Sequence, residues 1–275
     1  MSYNLCDKAR QLEPYDPVEG TYRVRLDANE SFLLPTVSDR EAMADIVQGV
    51  AFNRYPDPLA HDLCAAFGKL YGVDPALVTA GNGSDELISV IFSTFLQKGD
   101  TVLTVAPDFS MYRFYTSITE NPCLTLQKDA DMRIDVDEVI ATIREKGVRL
   151  FIFSNPCNPT SVGLDRDSVR RIIRETDALI VLDEAYMDFW DQSLLDEVAA
   201  YDNLIILRTC SKMLGMAALR CGFAVANATL TGILRAAKSP YNVNSVTQSL
   251  AALVLSNPAY MAEYKPLLLA SRTML

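Results

Sequence analysis

An α/β fold, with a mostly parallel sheet flanked by helices, is the class this sequence predicts, and three observations predict it. Several short runs are apolar nearly throughout rather than alternating, as strands covered on both faces are. Helical periodicity falls between those runs, and strands alternating with helices build a parallel sheet. The composition, 275 residues with 49% apolar and 22% charged, is that of a folded chain able to bury a sizeable core.

The elements follow in order. The first 30 residues, with Pro14, Pro17 and Gly20 and no clear period, read as an extended arm. Gly81 and Gly83 lead into a helix over 84–98, with Ser84 as its expected cap and Asp85 and Glu86 in its first turn. Its apolar residues Leu87, Ile88, Ile91, Phe92, Phe95 and Leu96 recur at helical spacing. Strands are predicted over 101–106 and 123–127, then a helix over 137–146 stopped by Gly147. A strand over 149–154, a helix over 165–176, a strand over 178–183, a helix over 193–201 and strands over 203–208 and 222–226 complete the pattern. From residue 230 the chain turns helical, over 230–238, 245–255 and 259–270, with Pro266 expected to kink or break the last. The predicted organisation is an arm over 1–30, a large ligand-binding domain over 31–240 and the helical start of a C-terminal small domain over 241–275. Strand order is not readable from these patterns.

The net charge of −10 repels phosphate backbones, which makes nucleic acid a poor partner. Apolar runs such as 250–255 are far too short to span a bilayer, and the N-terminus lacks a signal-peptide core, so a soluble cytoplasmic protein is expected. Cys6, Cys64, Cys123, Cys157, Cys210 and Cys221 include no CxxC pair, and His61 is the sole histidine, so no metal site and no histidine relay is expected.

Candidate chemistry gathers at strand ends and helix starts, where open α/β sheets bind ligands. The run 79–86 ends in glycines followed by a helix start, a place where free N–H groups and a positive dipole end meet an anion. Asn155-Pro156-Cys157-Asn158-Pro159-Thr160 is a stiff turn that aims Asn158 across the strand ends. Asp183-Glu184-Ala185-Tyr186 puts a carboxylate at a strand tip, where burial demands a cationic or protonated partner. In the run 208–215, Lys212 sits among Ser, Met and Leu, and partial desolvation there makes a nucleophilic amine. Two aromatic loops, 53–57 and 106–112, complete the set, the second able to stack on a planar ring. Taken singly, each is equally a turn, a cap, packing or an ordinary surface lysine.

Their order and combination resemble the fold-type I, pyridoxal-phosphate-dependent aminotransferases, and among these the histidinol-phosphate branch. The matching stretches are Arg25-Leu26-Asp27-Ala28-Asn29-Glu30, Asn53-Arg54-Tyr55-Pro56-Asp57, the run 81–86, the run 155–160, the run 183–186, Ser211-Lys212 and Ala218-Leu219-Arg220-Cys221-Gly222-Phe223. The resemblance implies that Lys212 joins the cofactor as a Schiff base and then serves as base and acid. It implies that Asp183 pairs with the pyridine nitrogen, that Asn158 and Tyr186 bond the ring oxygen, and that Phe109 stacks on the ring. It implies that the N–H groups of Ser84 and Asp85, the Ser211 hydroxyl and Arg220 hold the phosphate. It further implies a homodimer in which Tyr55 reaches the neighbouring site, and an arm residue, Tyr15, beside the substrate, which would be an amino donor exchanging with a 2-oxo acid.

The sequence departs from that family in two places. Ser161 and Val162 precede Gly163, so the loop after Asn158 is expected to be one or two residues longer. The family continues into a small domain that supplies an arginine for the substrate's acidic group; no such residue is assigned here, and this 275-residue form is expected to bind cofactor better than it turns over substrate. Related readings are an aromatic or broad-specificity aminotransferase, a threonine-phosphate decarboxylase and, outside enzymes, a cofactor-binding sensor domain. A plain nucleotide-binding domain lacks support, since no Gly-x-Gly-x-x-Gly follows the first strand.

Overall fold

The computed structural model describes residues 3–10, 12–14, 16, 18 and 20–274. Seven strands form one sheet: β1 (Val78–Gly81), β2 (Val102–Ala106), β3 (Cys123–Gln127), β4 (Leu150–Ser154), β5 (Leu179–Asp183), β6 (Leu204–Thr209) and β7 (Gly222–Ala226), in the spatial order β1-β7-β6-β5-β4-β2-β3. Strands β3, β2, β4, β5 and β6 run parallel; β7 runs antiparallel to both β6 and β1. The reversal follows from the connection: residues 210–221 contain only a short 3₁₀ turn, too little for the crossover a parallel neighbour needs. β1 was not foreseen. It is four residues long and ends in the glycines that read as a turn.

The helices are α1 (Asp7–Arg10), α2 (Val37–Gly49), α3 (His61–Tyr71), α4 (Ser84–Phe95), α5 (Met111–Thr119), α6 (Val136–Lys146), α7 (Arg166–Glu175), α8 (Ala228–Ala237), α9 (Ser245–Ser256) and α10 (Pro258–Met274). Strand residues alternate between two apolar layers. Phe151, Phe153, Ile206 and Phe223 pack with Leu63 and Phe67 of α3, Val139 of α6, Ile172 of α7 and Val254 of α9. Leu150, Ile152, Val181, Ile205 and Leu207 pack with Leu87, Ile91 and Phe92 of α4, Tyr112 of α5 and Leu234 of α8. Helix ends are set locally. Asp135, Asp165, Asn227 and Asn244 each accept an N–H of the first turn, and Gly147 closes α6 in the left-handed region.

Three expectations need correction. Ser84 does not cap α4: the cap is Gly83, at φ 84°, and Ser84 is the first helical residue. That φ lies in the left-handed region, which favours glycine, and a Cβ there would also meet the Arg220 guanidinium at 2.7 Å. The segment 193–201 is a 3₁₀ stretch over Leu195–Ala200 rather than an α-helix. Pro266 does not break the last helix, which runs from Pro258 to Met274. The bond it cannot donate would go to Ala262, and both residues are exposed, on the solvent side of the helix where a lost backbone bond costs least. Helices α2, α3 and α5 were not foreseen. Among the described residues before 35 the sole helix is α1, and Tyr3, Leu5, Leu12, Val18, Val24, Leu26, Phe32 and Leu34 are exposed. No helix among the described residues is long and apolar enough to cross a membrane.

Candidate active site

The topology brings the chemistry to one edge. Parallel β2, β4, β5 and β6 end there, delivering Phe109, Asn158, Asp183 and Lys212 from the turns that follow. Because β7 runs the other way, its first residue, Gly222, lies at that same edge with Arg220 just before it. β1 reverses again and so ends there too, feeding the N-terminus of α4. Two adjoining compartments result. The inner one, about 570 Å³, is lined by Ser84, Asp85, Phe109, Asn158, Asp183, Tyr186, Ser211, Lys212 and Arg220, with Asp27 to Glu30 of the arm. The outer one, about 620 Å³, shares Asn29, Glu30, Asn158, Tyr186 and Lys212 and adds Leu26, Phe189, Trp190, Leu268, Leu269 and Arg272.

Asp183 is buried at the tip of β5. Its Oδ2 accepts the Tyr112 hydroxyl at 2.8 Å and its Oδ1 the Ala185 N–H at 3.1 Å. Burial is the larger influence and pushes the carboxyl up to about 6, above its ordinary 3.8. No cation bonds it among the described residues; its partners are neutral donors. Lys212 lies across the compartment, half-buried. Its Nζ donates to Ala28 O at 2.7 Å and stands 5.6 Å from the centre of the Tyr186 ring. Burial holds this amine below the usual lysine range, with Arg220 acting in the same direction and Glu30 against it. Tyr186 accepts from Asn29 Nδ2 at 3.1 Å, and burial raises its phenol.

One end of the inner compartment is built for an anion. Gly83 leaves the first N–H groups of α4 without a side-chain cap. A Cβ at Gly222 would collide with the backbone of Gly83 and Ser84, so glycine lets β7 approach the helix start. Arg220, at φ 49°, brings its guanidinium against Gly83. Ser211 is held by Thr209, whose Oγ1 accepts the Ser211 N–H at 3.1 Å and donates to Ser211 Oγ at 3.1 Å. Asp85 Oδ1 is buried there with no hydrogen-bond partner. Phe109 and Tyr112 meet with near-perpendicular rings, centres 5.5 Å apart, and Phe109 lines the compartment. The loop after Asn158 closes on itself: Ser161 N–H reaches Cys157 O at 2.7 Å, and Cys157 N–H reaches Val162 O at 3.0 Å.

One expected site residue lies apart from this assembly. Tyr55 is 80% exposed and stacks on Tyr241 with ring centres 4.5 Å apart, lining a shallow surface pocket elsewhere. Tyr15 lies outside the described residues. Other contributors were missed. Tyr112 and Asn29 each bond a site residue, and Asp108 accepts both the N–H and the hydroxyl of Ser154, which lines the inner compartment. Lys128 Nζ, buried, stands 4.0 Å from Asp108. The motifs containing Asn29, Asp108 and Tyr112 were quoted above; their partners required the three-dimensional register.

Pyridoxal 5'-phosphate fits this lining on the structure's own terms. A buried carboxylate lacks a cation at one end, uncapped helical N–H groups and a guanidinium stand at the other, and a half-desolvated amine lies between.

Comparison with known proteins agrees with that geometry. Residues 23–275 match the family described as aminotransferase class I and II. The histidinol-phosphate aminotransferase of Clostridium novyi is 39% identical over 254 residues, 92% of this chain and 71% of that protein. That of Clostridium kluyveri is 40% identical over 252 residues, 92% of this chain and 72% of that protein. The crystal structure of histidinol-phosphate aminotransferase from Sinorhizobium meliloti in complex with pyridoxal-5'-phosphate superposes with a TM-score of 0.88 at 23% identity, covering 97% of this chain and 75% of that one.

Proposed function

The chain belongs to the aminotransferase class I and II family, and from that premise we propose that it is a pyridoxal 5'-phosphate-dependent transaminase exchanging an amino group between L-histidinol phosphate and 2-oxoglutarate. One observation carries the reading: Asp183, Lys212 and the phosphate-type cradle of Ser84, Asp85, Ser211 and Arg220 line a single compartment. The substrate assignment rests on the two clostridial relatives.

When bound, the cofactor supplies an aldehyde that takes up amines and a ring that withdraws electrons from the carbon losing a proton. The protein does the rest. Asp183, an anion above about pH 6, would hold a ring nitrogen in its protonated form and gain the cationic partner it lacks. Lys212, with its ammonium form disfavoured by burial, offers Nζ as the nucleophile and as the atom that takes and returns the substrate's proton. Asn158, Tyr186 and Phe109 line the same compartment; the first two would bond the ring oxygen and the third would cover a ring face. The N–H groups of Ser84 and Asp85, the Ser211 hydroxyl and Arg220 would hold the phosphate. The outer compartment, lined by Phe189 and Trp190, would receive the substrate.

We further read the protein as a cytoplasmic homodimer, with Tyr55 completing the neighbour's phosphate site and Tyr15 beside the substrate; the exposure of Tyr55 on its own chain supports the first. In the domain division, 31–240 holds the cofactor, between the arm 1–30 and the helical segment 241–275.

Purified protein supplied with the cofactor is expected to absorb in the visible and to be bleached by borohydride, with the label on Lys212. Lys212→Ala should lose the label and keep the fold. Among phosphate-bearing and phosphate-free amines, L-histidinol phosphate should give the highest kcat/KM with 2-oxoglutarate. A label on another lysine, or no uptake of cofactor, overturns the reading.

A further inference from the structure

Behind the compartment, on the opposite face of the sheet, lies a second cluster of charge that the chemistry above does not use. Asp183 sits on the layer containing Tyr112, whereas Glu184 and Arg208 point to the layer containing Phe67 and Tyr71. Arg208 is 5% exposed, and each of its three guanidinium nitrogens donates a hydrogen bond. Its Nε donates to Glu184 Oε2 at 2.9 Å, its Nη1 to Asp188 Oδ1 at 2.8 Å and its Nη2 to Ser193 Oγ at 3.1 Å. Ser193 Oγ in turn donates to Glu184 Oε2 at 2.7 Å, and Tyr71 donates to Asp188 Oδ2 at 3.1 Å beneath the guanidinium, whose Cζ is 5.0 Å from the tyrosine ring centre.

The place of these residues in the chain is informative. Glu184 follows Asp183 directly, and Asp188 is two residues beyond Tyr186, so Arg208 grips the turn carrying both groups on either side. Arg208 itself is on β6, four residues before Lys212. A rigid planar fork with fixed donor directions therefore ties the turn after β5 to the strand that delivers the amine.

We propose that Arg208 is a positioning residue: bracing Glu184 and Asp188 on the far face of the sheet, it sets the separation of Asp183 and Tyr186 from Lys212. The inference rests on the site reading above for its catalytic consequence. The brace itself stands on the geometry alone.

The test compares wild type with Arg208→Lys, which keeps the charge but lacks the fork. In the cofactor-free chain, amides of 185–189 should exchange with deuterium about tenfold faster in the variant, while those of β2 stay unchanged. In the loaded protein, the pH midpoint of the visible absorbance should move by more than about half a unit, and kcat should fall about tenfold with KM within about twofold. Tyr71→Phe removes one hydroxyl from the rim of the brace and should shift the same readings less, in the same direction. If Arg208→Lys does not fold, Tyr71→Phe decides by those readings. Uniformly faster exchange with an unmoved absorbance midpoint and unchanged kcat overturns the proposal. Wild-type protein that takes up no cofactor overturns the site reading instead, and the exchange comparison still decides the brace.

Discussion

Asp183 and Glu184 are neighbours, both buried, and burial raises both carboxyls. They differ in company. Glu184 faces the guanidinium of Arg208, so its charge is answered inside the protein. Asp183 faces a tyrosine hydroxyl and one backbone N–H, so its charge is softened but not answered. The pair teaches how to separate a structural acid from a functional one at a strand tip: the functional acid is the one whose cation the chain does not supply.

The contrast breaks most visibly by taking the internal cation away. Arg208→Met leaves Glu184 and Asp188 buried and uncompensated, and is expected to cost about 3–5 kcal/mol in denaturant unfolding. A loss under about 1 kcal/mol would mean the cluster is not the ion pair network its distances describe. The converse experiment removes the charge that has no cation. Asp183→Asn is expected to leave the cofactor-free chain at least as stable as wild type while lowering kcat about 10²–10³-fold. Equal turnover in the variant would place the electrostatic partner of the ring elsewhere.

A titration sharpens the same difference. Asp183 binds its proton more tightly folded, at about 6, than at its ordinary 3.8. The folded chain therefore holds more protons between those values, and stability is greatest below the lower one and falls as pH rises through the higher. The loss from this residue is about 3 kcal/mol in the cofactor-free chain. Urea midpoints between pH 4 and 7 should show that decline in wild type and a smaller one in Asp183→Asn. Parallel curves would assign the decline to other groups.

Much of this molecule was legible in its sequence, for physical reasons that also explain the rest. Strands β2 and β4 to β7 announced themselves because a strand covered on both faces must be apolar nearly throughout, and the half-buried edge strand β3 by its apolar residues between turn residues. β1 did not, being four residues that end in glycine. The main chemical residues of the inner compartment were readable because strand-tip chemistry uses distinctive types, lysine, acid and glycine, whose order resembles one family. The brace was not. Arg208 and Glu184 lie within runs that were singled out, yet which of two adjacent acids turns toward the cavity is decided by strand pairing, here Asp183 opposite Leu207. Tyr112 was hidden likewise: its partner is 71 positions away. The cap of α4 was misassigned to serine because residue type suggests a cap, while the left-handed φ of 84° at position 83 favours glycine.

Position 222 has a tolerance of one hydrogen atom, since anything more would wedge a strand away from the start of a helix. The floor of the site is therefore closed to remodelling, by mutation or by an engineer. Diversification of what this scaffold accepts belongs to the opposite wall, at Phe189, Trp190 and Leu268, where a side chain can grow or shrink without parting two backbones.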